Sequence, residues 1–138
     1  MVTINIRYEG EFRCRAIHEP SGGELVTDNP AGGTGKGQSF SPTDLVAAAL
    51  GTCIITTMAI KAKSIGIDLA GATAQVDKEM AIAPRRIGRL MTTVRVACPI
   101  SDRHKKVLEA TAFSCLVHKS LSHEIEMPIE FRWELGGP

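Results

Sequence analysis

The first residues of the chain, VTINIRY, place Val2, Ile4, Ile6 and Tyr8 on one face at period two, and Phe12 to His18 resumes the alternation after a turn at Glu9-Gly10. This pattern predicts a hairpin. A turn at Pro20 to Gly23 leads into a short third strand in ELVTD, followed by NPAGGTGKGQ, which is too rich in glycine for regular structure and is expected to be mobile. At Ser41 the period changes. In SPTDLVAAALGTCIITTMAI, Ser41 reads as an N-cap, Pro42 as the first helical residue and Asp44 as a short capping-box acid. Lys61, Lys63 and Gly66 mark the other end. A helix of roughly 24 residues, about 36 Å long, is predicted. It is apolar on every side, more than one small sheet covers, so an obligate homodimer is expected.

Two strands follow, around Ala72 to Ile82 and Ile87 to Cys98, joined by a turn at APRR. Pro99 stops the second, and Ser101 can cap a helix through HKKVLEATAF. In EIEMPIEFRWE the apolar Ile125, Met127, Ile129, Phe131 and Trp133 alternate with charged residues, which predicts a last strand with its apolar side on the core. Pro128 gives that strand a free edge. The order βββ, long α, ββ, α, β contains no repeating βαβ unit, so the expected class is α+β with mostly antiparallel sheet, as a single domain over residues 1–138.

Composition narrows the function. With 16 basic against 15 acidic residues and 4% aromatics, the chain offers neither a steering field nor stacking platforms, so no nucleic-acid partner is expected. The N-terminus shows no basic leader followed by an apolar run, which suggests a cytoplasmic protein. The apolar run from Leu45 to Ile60 falls short of the ~20 residues that span a bilayer, so no membrane partner is expected either. GGTGKG departs from a phosphate-binding loop, with Pro30 at its first glycine position and Gly37 after the lysine. Cys115, His118 and His123 lack a second ligand cluster, and no bound metal or cofactor is expected.

Four cysteines, Cys14, Cys53, Cys98 and Cys115, stand far apart without a C-x-x-C pair. Cys53, in the middle of the apolar helix, either fills space as a small hydrophobe or is a sheltered reactive thiol. Cys115 has the same two readings. Ser114 either ends one helix or caps a new one; in the second case the Cys115 sulfur lies near a helix N-terminus with His118 one turn on, which favours a thiolate there.

The phrase FSPTDLVAAALGTC leading into the long helix, with a later C-x-V-H-K-S-L before an alternating terminal strand, resembles the OsmC-like proteins, which include the organic hydroperoxide resistance (Ohr) enzymes. The resemblance implies a dimer of sheets wrapped around two central helices, and a cysteine peroxidase that reduces organic hydroperoxides at the expense of an external dithiol, typically a dihydrolipoyl group. By that resemblance Cys53 is the peroxidatic thiol and Cys115 the resolving one. The family activates its thiolate with an arginine of the N-terminal hairpin, for which Arg13 is the first choice and Arg15 the second, and steers it with a glutamate. Thr43 occupies the glutamate's position here, and Asp44 is the nearest acid. Two rival functions remain: a non-enzymatic dimer binding a small hydrophobic molecule, and a thiol sensor that does not turn over.

Overall fold

The computed structural model describes residues 1–134 and divides the chain into two compact units, Met1–Val46 and Ala47–Pro138. The first unit holds a three-stranded antiparallel sheet of β1 (Ile4–Gly10), β2 (Arg13–His18) and β3 (Glu24–Thr27), in that order. The hairpin between β1 and β2 turns at Glu11 and Phe12, two residues later than the sequence suggests. Both have positive φ, 53° and 63°, the geometry of a two-residue turn whose twist matches its strands. A bulge between Tyr8 and Gly10 absorbs the extra residue. The side chains of Val2, Ile4, Ile6 and Tyr8 form the expected row and are exposed on this chain.

After β3 the glycine-rich segment has no regular structure, but it is cross-linked. Gly37 N–H donates to Asn29 O at 2.9 Å, Asn29 Nδ2 donates to Thr34 Oγ1, and Ser39 Oγ donates to Val26 O at 2.7 Å. Gly35 is required by close approach, since a Cβ there would lie 2.2 Å from Asn29 O.

The long helix, α1 (Pro42–Ser64), opens with a reciprocal cap: Ser41 N–H donates to Asp44 Oδ2 at 2.9 Å, and Asp44 N–H to Ser41 Oγ at 3.2 Å. It closes on Gly66 at φ +79°, with Ile67 N–H reaching Ala62 O at 2.8 Å and Gly66 N–H reaching Lys63 O at 3.2 Å. As formed, this helix is 23 residues long and apolar enough to cross a bilayer by length and composition, beyond the Leu45 to Ile60 run considered from sequence. A core helix of a soluble protein passes the same test.

In the second unit the other sheet consists of β4 (Thr73–Ile82), β5 (Arg85–Val96) and β6 (Ile129–Trp133), in that order. The β4–β5 hairpin turns on Ala83 and Pro84 alone, so β5 starts earlier than expected and Cys98 lies beyond its end. Between β5 and β6 run α2 (Asp102–Ala112), capped by Ser101, and the short α3 (Leu116–Ser120). This connection returns the chain parallel to β5, the one parallel pairing among three antiparallel ones. The last strand is shorter than its alternation suggests: the regular part begins at Ile129, after Pro128, which has no N–H for a ladder. It is an edge strand, as expected, and Trp133 stacks on Phe131 while its Nε1–H donates to Glu109 Oε1 at 2.8 Å. The class is α+β.

The core lies where Leu50, Ile54, Met58 and Ala62, one helical stripe of α1, are buried along with Leu90 and Val94 of β5 and Leu108 of α2. Gly51 lets helix and sheet approach, since a Cβ at that position would meet Val76 Cγ2 at 2.8 Å. Val76 is β-branched and stiff. Gly51→Val is therefore expected to lower stability by about 1–3 kcal/mol, measured by denaturant unfolding. Val76→Ala in that background should recover part of the loss, and an additive double variant would contradict the packing argument.

Candidate active site

Cys53 stands in the fourth turn of α1, half-buried, one turn before Thr57, whose Oγ1 is 3.9 Å from its sulfur. Cys115 is fully buried at the start of α3. The local sequence explains how it is held. Helix α2 ends with Ser114 turned back on it, N–H and Oγ both donating to Thr111 O at 2.9 and 2.7 Å. Cys115 then takes an extended conformation and acts as the N-cap of α3, its Sγ accepting from His118 N–H at 3.3 Å. The cap is thus Cys115 itself, and Ser114 takes the first of its two readings by ending the helix before it. The His118 ring meets the edge of Phe113, centroids 5.8 Å apart.

The two sulfurs are neighbours, and each shifts the acidity of the other, the Cys115 thiol favouring a thiolate at Cys53. Their acidities are driven apart. Burial pushes the Cys53 thiol up, but the Val117 N–H, the Cys115 thiol, the Thr57 hydroxyl and the Leu116 N–H outweigh it, and the net shift is downward. For Cys115, burial raises the pKa, the His118 N–H lowers it, and the Cys53 sulfur raises it again, leaving the net shift upward. Of the two readings of Cys115, the thiolate is disfavoured, because burial and the neighbouring Cys53 sulfur leave its pKa raised. The structure also shows that amides at the start of α3 reach Cys53, a source of stabilisation that sequence reasoning missed. The extended Ser-Cys pair before L-V-H-K-S, with a Cys where a capping Ser often stands, is the signal that could have found it.

The remaining residues singled out from sequence sit elsewhere. Asp44 has one carboxylate oxygen occupied by the helix cap. Arg15 is held by Glu9 at 3.0 Å, with Glu24 at 4.0 Å. Arg13 instead donates from Nη1 to Gln38 Oε1 at 3.4 Å, and its Nε is buried without a hydrogen-bond partner. Of the four candidate catalytic residues, then, the structure groups Cys53 with Cys115 in the second unit, while Arg13 and Asp44 belong to the first. All four cysteines are free, and among the described residues no three His, Cys, Asp or Glu side chains form a metal-binding group.

The sequence profile of the OsmC-like protein family matches residues 34–130. The chain belongs to the OsmC-like family. A solved structure from Psychrobacter arcticus 273-4, provisionally described as an osmotic stress induced and detoxification response protein, is 39% identical over 95% of this chain and 96% of that one, with a TM-score of 0.91. Two more distant OsmC-like structures share the fold. The OsmC-like protein of Mycoplasma pneumoniae is 14% identical with a TM-score of 0.82, covering 97% of both chains. The organic hydroperoxide resistance protein OhrB of Bacillus subtilis is 18% identical with a TM-score of 0.67, covering 96% of this chain and 98% of that one. No curated protein sequence matches the chain.

The divergent acidities have a direct test. Because the Cys53 pKa lies below the ordinary thiol range, its alkylation by iodoacetamide should reach its plateau at lower pH than that of a free cysteine, while Cys115 lags behind. Cys115→Ala removes one of these contributions, so the Cys53 profile should move to higher pH, followed residue by residue with mass spectrometry. An unmoved profile would show that the neighbouring thiol contributes nothing.

Proposed function

We propose that this protein reduces organic hydroperoxides through a two-cysteine cycle, within the stress-resistance role that family membership supports. The observation that carries the reading is the Cys53–Cys115 pair of neighbouring thiols, with the Cys53 pKa lowered and the Cys115 pKa raised, so that Cys53 ionises first. The Cys53 thiolate attacks the distal oxygen of the hydroperoxide; the O–O bond breaks, the alkoxide leaves and takes up a proton as alcohol, and Cys53 becomes a sulfenic acid. The Cys115 sulfur then attacks the Cys53 sulfur, its proton leaves with the hydroxyl as water, and a disulfide forms. An external dithiol, of which a dihydrolipoyl group is the type the resemblance implies, restores both thiols by exchange and is itself oxidised to a disulfide. An apolar helix around the thiolate favours alkyl or fatty-acid hydroperoxides over hydrogen peroxide.

Arg13 enters this proposal, as the resemblance implies, as the cation that favours the Cys53 thiolate. The acid role assigned to Asp44 is weaker, because the cap already uses its carboxylate. The proposal includes a homodimer, supported by the exposed row of Val2, Ile4, Ile6 and Tyr8 and by the exposed Ile60 on α1. A second reading, the binding of a small hydrophobic molecule, has its own support. An open hollow of about 710 Å³, lined by Ile55, Ala59, Ile67 and Leu69 with Lys63 and Asp68, contains neither cysteine.

Treating the reduced protein with one equivalent of cumene hydroperoxide and mapping its thiols decides between these readings. The expected result is loss of two thiols as a Cys53–Cys115 bridge, and repeated peroxide consumption once a dithiol is supplied. Cys53→Ser should abolish the oxidation. Cys115→Ser should stop at sulfenic acid and advance to sulfinic acid with excess peroxide. Bridge formation without turnover would mark a sensor, and an unchanged thiol count a binding protein.

A further inference from the structure

A hydroxyl on a helix has a backbone carbonyl within reach three or four residues back, and a threonine or serine there commonly donates to it. This chain follows the habit. Thr52 donates to Ala48 O at 2.8 Å, Thr111 to Val107 O at 2.8 Å, Ser64 to Lys61 O at 2.6 Å and Ser120 to Leu116 O at 2.7 Å. Thr57 departs from it. Its Oγ1 stands 3.9 Å from the Cys53 sulfur, one turn back along α1, and that sulfur is its hydrogen-bond partner among the described residues.

Mere adjacency is the simple account, since residues four apart on a helix are neighbours whatever they are. It leaves the hydroxyl unexplained. Position 57 is half-buried, with the fully buried Ile54 and Met58 beside it on the helix, and a hydroxyl in such surroundings costs free energy unless it is hydrogen-bonded. A neutral thiol is a poor partner, weak both as donor and as acceptor. An ionised acceptor is a strong one. Forgoing a carbonyl for this sulfur is therefore favourable chiefly when the sulfur carries charge. While Cys53 keeps its proton either atom can donate, but a thiolate has no hydrogen, so the direction of the bond is then fixed from Thr57 to Cys53.

We infer that Thr57 is a further catalytic residue of the proposed cycle, its hydroxyl donating to the Cys53 sulfur once that sulfur has lost its proton. The reaction it serves rests on the hydroperoxide reading above; the contact itself does not. Both residues belong to α1, so the donor is in place wherever the sulfur is. A hydrogen bond of this kind acts in two senses: it raises the share of sulfur that is ionised, and it lowers the attacking power of each ion. Near neutrality the first effect is the larger.

The test reads the rate of Cys53 alkylation by iodoacetamide against pH, followed by mass spectrometry, which requires no turnover. Thr57→Val keeps the shape of the side chain and removes the hydroxyl; Thr57→Ser keeps the hydroxyl. With Thr57→Val the profile should move to higher pH and the rate near neutrality should fall roughly three- to tenfold, while the plateau at high pH equals or exceeds that of the parent. A packing defect gives no reason for that combination. Thr57→Ser should restore most of the shift. Cys115 is the titratable side chain that acts on Cys53 among the described residues, so the pair of variants is repeated with Cys115→Ala, where the effect of Thr57→Val should persist. An unmoved midpoint with Thr57→Val, equal movement with Thr57→Val and Thr57→Ser, or loss of the effect without Cys115 would overturn the inference. Failure of cumene hydroperoxide to oxidise Cys53 in the parent is a separate outcome: it defeats the hydroperoxide reading, and with it the place of Thr57 in that cycle, while the alkylation profiles still decide the contact.

Discussion

The arrangement depends on one interaction, the approach of the first turn of α3 to a sulfur inside α1. A thiol among apolar side chains is a poor acid, because burial penalises its charged form. Here two amide groups at the start of a short helix, a neighbouring thiol and a hydroxyl offset that penalty at Cys53. The elements around it serve the placement. The parallel return from β5 through α2 and α3 to β6 brings a helix start to the middle of α1, and the stop of α2 at Phe113 fixes where the next helix begins. Cys115 completes the arrangement by being helix cap and core residue at once.

Division of labour between two like groups requires unlike surroundings. Cys53 is half-buried with its pKa lowered, whereas Cys115 is sealed with its pKa raised. A nucleophile must be reachable by its substrate, and the second thiol needs only to be reachable by the first. The observed exposures follow that order. Among the acidic side chains, Asp44 closes a helix end and Asp28 accepts the Gln38 N–H of the glycine-rich segment.

Much of this was legible in the residues. The capping box at Ser41 and Asp44, the left-handed stop at Gly66 and the period-two strands are local signals whose physics acts within a few residues, and each element forms within a few positions of where it was expected. The errors arise where distant contacts decide. The hairpin turn slid to Glu11 and Phe12 because a bulge took up a residue, and the terminal alternation outran the strand because pairing with β5 is regular only from Ile129. Which reading of Cys115 holds is not legible in the residues, because sequence distance says nothing of which thiol is sealed. Arg13 and Gln38, distant by number, meet only through the path of the glycine-rich segment.

The cap at Cys115 carries a consequence of its own. Its sulfur accepts the His118 N–H that begins α3 and borders the Cys53 sulfur, so the footing of a five-residue helix and the bond-forming atom of the proposed cycle are one and the same.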